Sequence, residues 1–229
     1  MRALALETSG RIGSVAVVLD GVVVAEEEVA HGSQNAAQIL PIIDRLTRAQ
    51  SWTPRDVDEL YVSVGPGSFT GLRIAVTLAK TMAIATGVKL VAVPTVRVLA
   101  ENAPADANHV IIVLDAKRDQ IFTARFEHVA NEWVEREPAK LDSLTAMLER
   151  SPRPVHLLGE GIPYHEKFIP RDDSSVMVVP PEAARARASV VAMIGHAMAR
   201  RGEFADPQRL TPVYIRRPEA EEKYEAGRK

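Results

Sequence analysis

The chain has 229 residues, 46% of them hydrophobic, a formal net charge of -2 and no cysteine. That length suits one large or two small domains with an ample core, and the lack of cysteine removes disulfides, thiolate metal sites and cysteine nucleophiles together. The near-neutral charge gives no general attraction for nucleic acid or an anionic membrane, so any RNA contact has to be local or supplied by a partner.

Ala3 to Leu6, Ile12 to Leu19 and Val22 to Glu28 read as three short strands. Asp20-Gly21 joins the last two as a hairpin turn. Glu7-Thr8-Ser9-Gly10 falls in the turn between the first two. These four residues read as a hydroxyl-stabilised turn, with a binding site as the alternative. The apolar run at the N-terminus is too short for a signal peptide, and no stretch approaches a membrane span, so a cytoplasmic location is expected. After a polar loop, His31 to Asn35, apolar residues Ile39, Leu40, Ile42, Ile43 and Leu46 recur at helical spacing, predicting a helix over Ala36 to Arg48 with Pro41 in its first turns. His31 has no second ligand one turn away and reads as a loop histidine.

Leu60 to Val64 is predicted as a buried strand ended by Gly65-Pro66-Gly67, followed by a helix over Gly71 to Thr86. Thr70 is the expected N-cap, with Ser68 competing. A strand, a glycine turn and a helix start make an anion-friendly place. The spacing nevertheless fits neither a Walker loop, since Leu72-Arg73 stand where Lys-Ser/Thr is needed, nor the dinucleotide fingerprint. A tight turn built from Gly65, Gly67, Ser68, Thr70 and Gly71 is therefore preferred over direct phosphate binding.

In that helix Arg73, Thr77, Lys80 and Thr81 form one narrow polar stripe, and the rest is apolar. So broad an apolar face exceeds what one sheet covers. Alanines at 75, 79 and 83 recur every fourth residue and admit a close neighbour. The expectation is a partner interface made by Ile39, Ile42, Ile43 and Leu46 with Leu72, Ala75, Leu78, Ala79 and Met82. It would serve a second subunit, or a second copy of the chain when alone. The alternative is a buried core helix. Ala75→Glu and Ala79→Glu separate the two, because only the interface tolerates them in a folded chain.

Leu90 to Val93 is a further strand and Pro94 to Asn102 a brief helix. Val110 to Asp115 then repeats the opening pattern: a β-branched strand ends in a carboxylate, a polar turn follows, and a new strand carries Ala124. Glu7 and Asp115 are separated by the same interval as Ala16 and Ala124, and a third strand (Glu132 to Leu141) and a helix (Ser143 to Glu149) recur in order. Two related halves are implied, residues 1-103 and 104-215, with 216-229 as a polar tail. Beyond the linker Arg150 to Pro154 come a strand (Val155 to Leu158), the turn Gly159-Glu160-Gly161, a strand (Val176 to Val179) and a helix from Glu182 to about Arg201, stopped by Gly202. No His-Glu-x-x-His, no Gly-x-Ser-x-Gly elbow and no metal-ligand spacing is present, so no catalytic set and no metal site is assigned.

Glu7-Thr8-Ser9 after an apolar strand, Gln38-Ile39-Leu40-Pro41, GPGSFTGLR from Gly65 to Arg73 with Ala79-Lys80, Asp115-Ala116-Lys117-Arg118, Gly159-Glu160-Gly161 and Pro212-Val213-Tyr214-Ile215-Arg216 together resemble the TsaB (YeaZ) family of bacterial tRNA threonylcarbamoyladenosine synthesis. Glu7 stands where many relatives have Asp, and Asn35 where His commonly precedes the Leu-Leu-Pro segment. The resemblance implies an α/β, actin-like (ASKHA) fold: a duplicated, RNase H-like unit in two lobes. It implies a noncatalytic activator of a TsaD-type subunit in transfer of threonylcarbamoyl to the adenosine next to the tRNA anticodon, within a tRNA threonylcarbamoyltransferase complex. A TsaE-like ATPase joins, a separate TsaC makes the adenylate donor, tRNA is reached indirectly through the complex, and the chain pairs with itself when alone. No cofactor is expected to bind tightly, with ATP engaged only in the complex. In a sugar-kinase or actin-like fold the turns holding Glu7, Thr8, Ser9 and Asp115 face phosphate and metal, so these are the cleft residues a nucleotide would meet. The alternative is a small-molecule kinase on the same fold, with Glu7 or Asp115 placing magnesium. A metallopeptidase fails for want of ligands.

Overall fold

The computed structural model describes residues 1–29 and 35–216, with side chains from Gln38 onward in the second span. The expected loop at His31 and the tail beyond Arg216 lie outside the described residues, as does the Asn35 side chain.

The first half comprises β1 (Arg2–Glu7), β2 (Gly13–Leu19), β3 (Val22–Val29), α1 (Asn35–Ala49), β4 (Glu59–Ser63), α2 (Phe69–Thr86), β5 (Lys89–Val93) and α3 (Thr95–Ala100). Its sheet runs β3-β2-β1-β4-β5, with β2 antiparallel to β1 and β3, and β4 parallel to β1 and β5. The hairpin falls at Asp20-Gly21, both in the left-handed region (φ 49° and 85°). The central strand β1 is apolar on both faces because both are covered, and its side chains alternate between two cores. Leu4 and Leu6 pack with Ile39, Ile42, Val76 and Ala79 beneath α1 and α2, whereas Ala3 and Ala5 pack with Val98, Val191 and Ile194 on the opposite face. At the edge, β3 alternates in exposure along its length and carries Glu26, Glu27 and Glu28, charges that discourage edge pairing.

The second half comprises β6 (His109–Ile112), β7 (Leu114–Asp115), β8 (Ile121–Val129), β9 (Glu132–Asp142), α4 (Leu144–Arg150), β10 (Val155–Leu158), α5 (Ile162–His165), β11 (Val176–Val178) and α6 (Ala188–Arg200). Here β9 pairs with β8, β8 with β6, β6 with β10 and β10 with β11, the first two pairings antiparallel and the last two parallel. With the two-residue β7, which also pairs with β8, left out of the count, both sheets therefore have the strand order 3-2-1-4-5 within their half and the same directions. This is one RNase H-like unit used twice, the duplicated two-lobed actin-like (ASKHA) fold.

Helix α6 returns from the second half to pack on the first sheet, where its Gly195 lies so close to Tyr61 that a Cβ would approach the ring to 2.5 Å. It starts at Ala188 rather than Glu182. The reason is a cap supplied from elsewhere: the Ala188 amide donates to the buried Ser14 hydroxyl at 2.7 Å, and the Ser189 amide donates to Glu26 at 3.1 Å. Residues 182–187 form turns that Arg185 ties down, its carbonyl accepting from Asn102 and its guanidinium bonding Glu28.

Beyond α6 the chain becomes a strap. The Ala205 amide donates to the Leu90 carbonyl (2.8 Å), Lys80 Nζ donates to the carbonyls of Gln208 and Leu210, and the Val213 amide donates to the Val64 carbonyl (2.7 Å). The Tyr214 ring packs at a tilt of 37° against Phe69, centroids 5.2 Å apart, and the Arg216 guanidinium reaches the Ala116 carbonyl and Gln120 in the second half. Lys80, placed by periodicity in the narrow polar stripe, is thus half-buried by the strap.

Candidate functional site

Glu7 closes β1 with a fully buried carboxylate. Its Oε1 accepts from both the amide and the hydroxyl of Ser9. Burial raises its pKa above the usual carboxylate range, and the Ser9 bonds offset only part of that rise. The Ser63 hydroxyl, at the end of the adjacent β4, is within electrostatic reach but not in standard hydrogen-bond geometry, which leaves Glu7 Oε2 without a bonded partner among the described residues.

Thr8 and Ser9 are held against the glycine loop. The Thr8 hydroxyl donates to the Gly71 carbonyl at 2.8 Å, and the Ser68 amide donates to the Ser9 carbonyl at 2.7 Å. A Cβ on Gly67 would stand 2.5 Å from the Ser9 oxygen, and one on Gly71 only 1.9 Å from the Thr8 oxygen. Glycine at both positions is a packing requirement imposed by the first turn. The N-cap is Ser68, whose hydroxyl accepts from the Gly71 amide, so α2 begins at Phe69 and Thr70 lies inside it. The Ser68, Gly71 and Leu72 amides are all taken by protein oxygens.

The second half repeats the arrangement. Asp115 accepts from the Lys117 amide (3.1 Å), pairs with Lys117 Nζ (2.8 Å) and faces the buried His165 Nε2 (3.2 Å). Burial works to raise its pKa, but the Lys117 and His165 contacts outweigh it and hold the carboxyl low. Gly159 and Gly161 lie against β6 and β7, where Cβ atoms would meet the Val113 oxygen at 2.3 Å and the Asp115 nitrogen at 2.5 Å. Between them Glu160 accepts from the Arg11 amide at 2.9 Å and lies beside Gly10, joining the first-lobe turn to the second-lobe turn. Its charge also pushes Glu7 upward. Glu160 is the functional-site residue that residue-by-residue reading missed, and the recurrence of a glycine turn after the fourth strand of each half was the signal for it. Among the described residues, no group of three His, Asp or Glu side chains is placed to hold a metal ion.

The helix residues expected at a partner interface fall mostly in the core. Ile39, Ile42, Ile43, Leu46, Ala75 and Ala79 are buried in the cluster between α1, α2 and the sheet, Leu72 is buried beside Gly65, and only Leu78 and Met82 are partly exposed. The alanine stripe faces the chain's own core instead of a second molecule. The exposed residues of the pair are Leu40, Pro41, Asp44, Arg45, Arg48 and Ala49 on α1 and Phe69, Thr70, Arg73, Thr77, Thr81, Ile84 and Ala85 on α2, flanked by Ile74, Leu78 and Met82.

A family model described as TsaD, tRNA N6-adenosine threonylcarbamoyltransferase, matches residues 28–224. The chain is 29% identical over 228 residues, 98% of either chain, to the tRNA threonylcarbamoyladenosine biosynthesis protein TsaB of Bacillus subtilis. It is 29% identical over 133 residues, 57% of either chain, to the protein of that name from Escherichia coli. Among solved structures, YeaZ from Pseudomonas aeruginosa superposes with a TM-score of 0.77 at 24% identity, covering 93% of this chain and 99% of that one. A Pseudomonas aeruginosa protein described as similar to peptidase YEAZ gives 0.79 at 23% identity, covering 94% and 99%. The duplicated fold, the two glycine-packed turns and these likenesses agree: the chain belongs to this family, on its TsaB (YeaZ) branch.

Proposed function

We propose that the chain acts in tRNA threonylcarbamoyladenosine biosynthesis as a noncatalytic partner of a TsaD-like subunit, with a TsaE-like ATPase joining them in the cytoplasm. The observation that carries this reading is the packing of the first turn. In a kinase of this fold the turn after strand one and the start of the following helix have to admit phosphate oxygens. Here Ser9 takes the Ser68 amide, Ser68 takes those of Gly71 and Leu72, and Thr8 closes on Gly71, so these groups are spent on protein contacts rather than left for phosphate. ATP is engaged only in the complex, and nothing nucleotide-like binds tightly to the chain alone.

Docking uses the outward side of α1 and α2: Leu40 with the partly exposed Ile74, Leu78 and Met82. The same face pairs two copies of the chain when no partner is present. Incubating the purified chain with ATP and magnesium tests the noncatalytic role. Negligible turnover alone is expected. Robust turnover lost in Asp115→Asn would assign the chain instead to the small-molecule kinases of this fold.

A further inference from the structure

We infer that the half-exposed ring of Tyr164, approached by Arg11 of the first lobe and Lys117 of the second, is a contact site for single-stranded RNA. The Arg11 guanidinium carbon lies 5.2 Å from the ring centroid and Lys117 Nζ 5.3 Å from it. Tyr164 is 48% exposed, although it follows the buried Ile162 on the short helix α5.

Two cations gathered on one ring repel each other, and the nearby carboxylates do not compensate both. Asp115 pairs with Lys117, and Asp119 with Lys167. Glu160 accepts the Arg11 backbone amide, while the Arg11 guanidinium makes no ion pair among the described residues. The turn that carries Lys117 is bent outward by three successive left-handed residues, Lys117, Arg118 and Asp119 (φ 63°, 56° and 57°).

A half-exposed aromatic ring overlaid by a guanidinium and an ammonium is a chemistry that holds unpaired nucleotides: bases stack on the guanidinium plane or on the part of the ring left open, and phosphates meet the cations. Duplex recognition would draw instead on a broad basic surface, and a net charge of -2 gives no general attraction of that kind. Because its cations come from both lobes, the site exists only in this relative placement of the halves. The choice of RNA among polyanions rests on the reading of the preceding section.

The test measures binding of a labelled, mixed-sequence single-stranded RNA to the full chain across a salt series, with poly-glutamate as the alternative probe. Tyr164→Ala is expected to weaken RNA binding at least about fivefold. Arg11→Ala with Lys117→Ala is expected to flatten the dependence of log affinity on log salt by roughly 0.7 for each phosphate no longer neutralised, in a chain that circular dichroism shows to be folded. Lys117→Ala alone serves should Tyr164→Ala fold poorly. The inference is overturned if wild type retains no RNA at low salt, if folded variants bind as wild type does, or if poly-glutamate binds equally well with the same dependence on Tyr164. A parallel modification assay with a TsaD-like subunit, a TsaE-like ATPase, threonylcarbamoyl donor and tRNA separates the two claims. No product from the wild-type mixture counts against the function, and product together with Tyr164-independent RNA binding counts against the RNA site alone.

Discussion

The carbonyl oxygen of Thr8 lies 1.9 Å from the place a Cβ on Gly71 would take, while the Thr8 hydroxyl donates to the Gly71 carbonyl at 2.8 Å. Backbone stands on both sides of this contact, so neither side yields as a flexible side chain would. Gly71→Ala is expected to cost roughly 3 kcal/mol of stability, the upper part of the range for overpacked sites. Urea unfolding measures it. A change within about 0.5 kcal/mol would show that the two turns are not held in this register.

Glu7 gives a pH dependence with a definite sign. Its folded pKa is raised by burial, so the folded chain binds this proton more tightly than the unfolded one. The stability it contributes is full below the ordinary carboxyl range and is lost as pH rises through the raised value. Glu7→Gln keeps an oxygen for both Ser9 donors and removes the ionisation. Its unfolding midpoint is expected to equal or exceed that of wild type near neutrality and to vary less with pH. A variant whose midpoint falls in parallel with wild type over the same window would contradict this.

On the second sheet the opposite sign applies. Burial works to raise the Glu137 pKa, yet the bonds from Lys140, Arg125 and Arg150 together outweigh it and bring the carboxyl down to about 2. The side chains of Arg125 and Glu137 are largely buried, and Arg150 also bonds Asp142, tying β8, β9 and α4 together. The stabilisation is present above the ordinary carboxyl range and disappears as pH falls toward that depressed value. Glu137→Gln is expected to cost about 1–2 kcal/mol at neutral pH, after allowance for solvent screening of the partly exposed Lys140. The loss should shrink in acid, and equal losses at pH 7 and pH 3 would rule the ion network out.

The helices make separable predictions. Ala79→Glu places a charge in a fully buried position and is expected to abolish folding. Leu78→Glu, one residue earlier and partly exposed, should leave a folded chain that no longer pairs with itself or with a TsaD-like subunit. Circular dichroism with size-exclusion chromatography distinguishes the cases. A folded Leu78→Glu chain that pairs normally would remove this face from consideration.

Local signals made much of the fold legible. Asp20-Gly21 announced its hairpin, and the repeat of a strand ending in Glu7 or Asp115 announced the duplication, because turn chemistry and strand pattern act over a few residues. What stayed hidden depended on partners far along the chain. The start of α6 is fixed by Ser14, 174 residues from Ala188, so nothing near Glu182 reveals it. Gly71 was legible as part of a tight turn, but the contact that demands glycine there, Thr8, belongs to another turn. The apolar breadth of α2 looked like surplus for a partner, yet burial against α1 and the sheet accounts for Ala75, Val76 and Ala79. Glu160, a lone acid between glycines, shows its role only when Arg11 is brought to it from the other lobe.

The most direct measurement is the amount of threonylcarbamoyladenosine formed in tRNA by a TsaD-like subunit, a TsaE-like ATPase and threonylcarbamoyl donor, with and without this chain, read by mass spectrometry of nucleosides. Product is expected only when the chain and the TsaD-like subunit are both present, and none from the chain alone. Equal product when the chain is omitted would contradict its role as an activating partner, and product from the chain without the TsaD-like subunit would contradict its noncatalytic role.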